Sequence, residues 1–335
     1  MRPHTIRTFA VAALLLATAA SSPLSAQSTG SRARWEAQAR ALLKELVEIN
    51  TTHSVGNSLT AAEAMAKHMR AAGFPAEDVV VVENAPRKGN LVVRYRGRNT
   101  GRKPILLLSH LDVVEADPKD WTLPPFEFIE RDSVFYGRGV ADDKDEGAIH
   151  LTILLRMKAE GIVPDRDIIV ALTADEEGGP ANGVQWILAN RPELLRAEYA
   201  FNEGGGGRVE EEKKISNDVQ ASEKKVANFS VETTNPGGHS SQPRPDNAIY
   251  QLAAALTKLG NYQFPVHLNE VTREYFRRQA GIVGGETGAA MRAIVANERD
   301  SAASALISRD PANSSRLRTS CVATMLSGGH AMNAL

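Results

Sequence analysis

The chain has 335 residues, a formal net charge of −1 from 39 Lys and Arg against 40 Asp and Glu, and 42% hydrophobic residues. That length accommodates two domains with cores of their own, and near neutrality leaves no global field to attract nucleic acid or an acidic membrane surface. The single cysteine, Cys321, excludes an intramolecular disulfide and a thiolate cluster, so any metal must be held by oxygen and imidazole.

Residues 1–26 place Arg2 and Arg7 ahead of an apolar stretch at 9–20 and then small residues to Ala26, the build of a secretory signal peptide. A secreted or periplasmic protein, free of the membrane after cleavage, is expected; an uncleaved anchor is the other reading. No later segment has membrane-spanning length.

The run RWEAQARALLKELVEI (34–49) spaces Trp35, Ala39, Leu42, Leu46 and Ile49 at helical intervals. A second helix is predicted over 60–73, opened by Thr60 and Glu63 in capping-box register and stopped by Gly73. His68 on it reads as a surface or packing residue, and His53 in the preceding loop has no assigned role. Three apolar runs follow, DVVVVEN (78–84), NLVVRYRG (90–97) and PILLLSH (104–110), the last expected near the centre of a sheet. A helix over 146–161 carries Ile149, Ile153, Leu154 and Met157 on one face, with His150 structural and Gly161 as terminator. Strands at 166–175 and 198–203 flank a helix over 182–195. Strands alternating with helices predict an α/β layer around a mainly parallel sheet.

Beyond 207 the texture changes. A charged segment (208–225) leads to the alternating VANFSVETT (226–234), the turn NPGGHSSQPRP (235–245), a helix over 246–260, a largely helical stretch over 269–307 and the alternating CVATML (321–326). These read as a smaller α+β domain, with Cys321 a buried structural thiol. The expected division is a signal peptide at 1–26, a catalytic domain at 31–219 and a second domain at 220–335.

His110 in SHLDVV, Asp142 in GRGVADDK, Glu176 and Glu177 in ADEEGG, and Glu203 in NEGGGG all fall at or just past predicted strand ends. In a parallel sheet those ends form the ligand-binding edge. Each alone has an ordinary reading, as a polar turn or as acids at a helix N-terminus. Together, one His and several carboxylates suit zinc, with manganese or cobalt as alternatives.

These motifs, with PGGHSSQP (236–243), resemble in order and spacing the M20 metallopeptidases, whose members include glutamate carboxypeptidases, dipeptidases and aminoacylases. The resemblance implies a zinc-peptidase-like catalytic domain with an inserted lid and dimerisation domain, hence a homodimer. It also implies two metal ions per subunit, usually zinc, with Co2+ or Mn2+ possible, and a dipeptide, short peptide or N-acyl amino acid as substrate. By position, His110 and Glu203 match ligands of one metal, Glu177 a ligand of the other and Asp142 the bridging ligand. Asp112 matches the carboxylate that orients the imidazole, and Glu176 the general base. His239 matches the histidine that stabilises the oxyanion in a partner's site, and Asn333 a substrate-binding residue.

The resemblance further implies a last ligand histidine in sequence that follows a segment like HAMNAL, past Leu335. The alternative reading is therefore a catalytically incompetent fragment or binding subunit lacking that ligand. A second departure is DDKDEG, where members more often have glycine after the lysine; Asp145 and Glu146 are expected to face solvent at a helix start.

Overall fold

The computed structural model describes residues 24–99 and 101–335; all but the last three residues of the expected signal segment lie outside them. No helix among the described residues is long and apolar enough to cross a membrane. The chain divides into two compact units between Glu203 and Gly204.

The first unit contains α1 (Leu24–Glu48), α2 (Ser58–Ala71), β1 (Val79–Ala85), β2 (Lys88–Tyr95), β3 (Ile105–His110), a hairpin of β4 (Ile129–Arg131) and β5 (Val134–Tyr136), α3 (Lys144–Ala159), β6 (Ile168–Thr173), α4 (Gly183–Asn190) and β7 (Tyr199–Phe201). Five strands form one sheet in the order β1-β2-β6-β3-β7. β2 runs against both neighbours while β3 pairs parallel with β6 and β7, so four of the five strands point the same way. β6 rather than β3 is the middle strand.

Both faces are covered at the middle of the sheet, which explains the unbroken apolar runs there, whereas the edge strand β7 is exposed. Along β6, Val170 and Leu172 face α1, α2 and α3, sharing a core with Leu46, Met65, Leu91 and Leu151. Ile169 and Ala171 face the other way, against Val92, Leu106 and Ile187 of α4. The two-residue repeat of an extended chain produces this division.

Two helix predictions need correction. α2 begins two residues before Thr60, because the Asn57 side chain accepts the Thr60 N–H and caps the helix. On α3 the buried face is Gly147, Ala148, Leu151, Leu154 and Leu155, whereas Ile149 and Ile153 are 49% and 41% exposed. The helix carries two apolar stripes, and the one bearing Gly147 sits on the sheet: a Cβ there would lie 3.1 Å from Leu172.

The second unit contains a hairpin of β8 (Gly206–Glu210) and β9 (Lys213–Asp218), then α5 (Ala248–Asn261), α6 (Glu270–Val283), α7 (Gly285–Ala296), α8 (Ser301–Ile307) and α9 (Pro311–Leu317). The hairpin turns through Glu211 and Glu212, both at positive φ (47° and 67°), the left-handed pair that matches strand twist. α6 to α9 bury Phe276, Met291, Ile294, Ile307 and Leu317 together. The strands predicted at 226–234 and 321–326 do not form: both segments are unpaired, with Phe229 84% and Met325 92% exposed. Cys321, expected buried, is exposed. Alternation marks a segment able to pair, but a strand exists only with a partner to accept its backbone hydrogen bonds.

Candidate metal centre

Parallel strands end at one edge of a sheet, and that edge gathers the acidic motifs. His110 is the last residue of β3 and lies in register with Thr173, the last of β6. Phe201 of β7 pairs with Leu107, which brings Glu203, two residues on, level with the end of β3. Past His110 the chain continues beside residues 51–54: Thr51 Oγ1 donates to the Leu111 carbonyl at 2.7 Å, and Thr52 bridges to Val113.

His110 is buried, 3% exposed. Its Nδ1 lies 2.9 Å from the Asp112 carbonyl oxygen, an acceptor only, so Nδ1 carries the proton and the neutral ring keeps a lone pair on Nε2. That nitrogen lies 3.0 Å from Asp142 Oδ1, 3.8 Å from Glu203 Oε1 and 3.9 Å from Glu176 Oε2. A lone pair turned toward three carboxylates is repulsive unless the ring is protonated or a cation lies between them. Burial opposes protonation, but the charges of Asp112 and Asp143 and the Asp112 carbonyl outweigh it and raise the His110 pKa. Burial, joined by the charge of Asp142, raises the pKa of Glu177 and of Glu203.

Two donor sets share this imidazole: His110 with Asp142 and Glu177, and His110 with Asp143 and Glu203, with ligand atoms inside each set within 4.8 Å of one another. Imidazole plus carboxylate oxygens at this spacing fits a divalent ion of the zinc type. Asp143 went unrecognised in the sequence. It precedes Lys144, the first residue of α3, yet its carboxylate makes no cap; Oδ2 instead accepts the His110 backbone N–H at 3.0 Å. Burial pushes its pKa up to about 7. The signal was the adjacent acid pair at a helix start, of which the motif match used one member.

The ADEEGG turn is held from three sides. Asn90 Oδ1 accepts the Ala174 N–H at 2.9 Å, and Lys88 Nζ lies 2.6 Å from the fully buried carboxylate of Asp175. Asp112 accepts the N–H of Glu176 on one carboxylate oxygen and that of Glu177 on the other, each at 3.0 Å. Thus the Asp112 backbone carbonyl fixes the imidazole tautomer while its carboxylate positions the two glutamates. Asp175 takes a positive φ of 55°, turning the chain so that its neighbours leave the strand alternation. Gly179, at φ 110°, is required as well: a Cβ there would sit 2.5 Å from Asp175 Oδ2 and 2.6 Å from His53 Nδ1.

Other expectations resolve locally. His68 bonds Glu45 at 2.6 Å and His150 bonds Ser109 at 2.8 Å, both as packing residues. Asp145 and Glu146 do not face solvent freely; both are half-buried, and burial raises both pKa values. His239 and Asn333 belong to the second unit, where an antiparallel bridge joins His239 to Ala334 and the Ser240 N–H donates to the Asn333 carbonyl at 3.0 Å. His239 Nδ1 accepts the Ser241 backbone N–H at 3.2 Å, which puts the proton of the neutral ring on Nε2.

The model for the family described as Peptidase family M20/M25/M40 matches residues 106–299, spanning every ligand-type residue of this centre. The chain belongs to that family. Among its M20 relatives, the bovine (Bos taurus) N-fatty-acyl-amino acid synthase/hydrolase PM20D1 is 35% identical over 178 residues, 51% of this chain and 35% of the relative. A probable carboxypeptidase S-like 2 of Dictyostelium discoideum is 32% identical over 73% of this chain and 48% of its own length. Human carnosine dipeptidase 1 shares the fold, with a TM-score of 0.52 at 15% identity over 77% of this chain and 61% of that one. The chain spans about a third to a half of the two curated M20 relatives.

Proposed function

We propose that this protein hydrolyses an amide bond in a dipeptide, short peptide or N-acyl amino acid, with His110, Asp142, Asp143, Glu177 and Glu203 as metal ligands. The observation that carries this reading is the Nε2 lone pair of His110 facing the oxygens of Asp142, Glu176 and Glu203. The relatives' names, an N-fatty-acyl-amino acid hydrolase and a carboxypeptidase, support the substrate class. Two divalent ions, zinc in the first instance, would supply Lewis acidity toward the scissile carbonyl and an attacking water.

The remaining work falls to side chains. Glu176, solvent-accessible and next to the ligand Glu177, takes the proton of the attacking water and returns it to the leaving nitrogen. Asp112 keeps that carboxylate in place through the Glu176 N–H and keeps His110 in its ligating tautomer. His239, with its proton on Nε2, donates to the carbonyl oxygen as negative charge develops, and Asn333 beside it contacts the substrate backbone or carboxylate. The second unit acts as lid and dimerisation surface, so that a second copy of the chain completes the site. Export follows from the reading of residues 1–26.

The zinc-loaded protein is expected to release amino acids from a panel of dipeptides and N-acyl amino acids. Glu176→Gln should lower kcat by roughly 10²–10⁴-fold with metal content unchanged. A metal-loaded wild type without turnover overturns the hydrolase reading, and loss of metal together with activity overturns the role given to Glu176.

A further inference from the structure

One buried charge near the centre has no place in the chemistry above. Lys144 is the first residue of α3 and is 0% exposed, among the largest fully buried side chains of the protein. Its Nζ donates to the backbone carbonyls of Leu46 and Ile49, at 2.8 and 2.9 Å. Leu46 lies in the last turn of α1 and Ile49 just past it, at the negative end of the helix dipole; the Leu46 carbonyl also accepts the Ile49 N–H at 3.3 Å. Among the described residues no carboxylate comes within ion-pair distance of this ammonium. The side chain threads past Gly139, at φ 87°, where a Cβ would lie 2.9 Å from Lys144 Cδ and 2.9 Å from Val113 Cγ1.

A buried ammonium without a carboxylate partner is a costly way to fill a core that a methionine would fill as well. What the amine adds is a tether. The tether starts one residue after Asp143 and two after Asp142 and ends on α1, an element that contributes no ligand. It fixes the peptide carrying both aspartates relative to the helix end from which residues 50–54 run on beside Leu111 and Val113.

We propose that Lys144 is a positioning residue of the metal centre: seated on the α1 carbonyls, its side chain holds the Asp142–Asp143 turn at His110. The inference rests on the metallohydrolase reading, and binding measurements test it without recourse to activity. The 335-residue chain and its Lys144→Met and Lys144→Arg variants are titrated with Co2+, following the visible absorption of the ligated ion, and with Zn2+ by calorimetry. Thermal melts of the metal-free proteins run in parallel, with Met65→Ala, in the same core but away from the turn, as a control for lost stability.

Lys144→Met is expected to bind metal about 10–100-fold more weakly, the usual consequence of losing a partner that orients ligands, and with an altered Co2+ spectrum. Lys144→Arg should recover part of the affinity, and Met65→Ala should melt earlier yet bind as wild type does. Equal affinity and spectrum in Lys144→Met and wild type overturn the proposal, as does an equal loss of affinity in Met65→Ala. If Lys144→Met does not fold, Lys144→Gln, whose side chain is one atom too short to reach both α1 carbonyls, takes its place with the same expected loss of affinity; failure of both to fold assigns Lys144 to the fold alone and overturns the proposal. A wild type that takes up neither ion overturns the metallohydrolase reading itself, an outcome distinct from the others.

Discussion

The two units use apolar alternation in opposite ways. In the first, every alternating or continuous apolar run became a strand, because each found a hydrogen-bonding neighbour, and all but the edge strand β7 also found a helix to cover them. In the second, the helices formed where their periodicity placed them, while the alternating segments at 226–234 and 321–326 remained unpaired and exposed. A helix closes its hydrogen bonds within itself; a strand borrows half of them from elsewhere in the chain. Local pattern is therefore enough for the one and only a condition for the other.

The largest expected effect separates the units by chemistry. Glu203→Gln, which removes a proposed carboxylate ligand from the first unit, should weaken metal binding by more than the ~10–100-fold that an outer partner costs, and abolish turnover. His239→Ala, in the second unit, should leave metal content intact and lower kcat by roughly 10²–10³-fold, the usual loss for one oxyanion donor. Elemental analysis beside steady-state kinetics reads both, and metal loss in His239→Ala would erase the contrast.

Next in size is stability. Leu172→Ala, in the middle strand with no exposed surface, should cost about 2–5 kcal/mol by denaturant unfolding. Phe229→Ala, which removes a larger side chain, should stay within about 0.5 kcal/mol because that ring is already in water. A large cost at Phe229 would mean that 226–234 is paired in solution after all.

The smallest effect is a pH slope within the first unit. The Asp143 carboxyl is raised from 3.8 to about 7, chiefly by burial, so the folded state holds its proton more tightly than the unfolded state. The associated stability is complete below about pH 4 and is lost as pH rises toward 7. Chelator-treated wild type should therefore lose thermal stability over that window relative to Asp143→Asn, which carries no proton to release. Parallel melting curves for the two proteins would show that the buried carboxyl is ionised throughout.

Much of the centre was legible in residue types and spacing. His110, Glu177 and Glu203 could be chosen because strand ends are visible as the points where apolar runs stop, and because parallel strands end together; Asp142, expected at a strand end as well, lies instead in the turn before α3 and was reached through its motif. Asp143 was not legible, since nothing local distinguishes an aspartate that caps its helix from one that reaches back to the His110 N–H. Neither was the support beneath the site: Asn90 holding Ala174 and Lys88 holding Asp175 are contacts between residues 84 and 87 positions apart.

What the sequence alone determined was the set of elements with an internal period and the chemical kind of the site, one imidazole among carboxylates with membership of a peptidase family. Tertiary structure alone decided which apolar stripe of α3 is buried, which alternating segments become strands, and which acids and lysines stand behind the ligands. The division has one physical cause. Periodicity and residue type are properties of neighbours along the chain, whereas a buried face, a strand partner and an ion's surroundings are properties of neighbours in space.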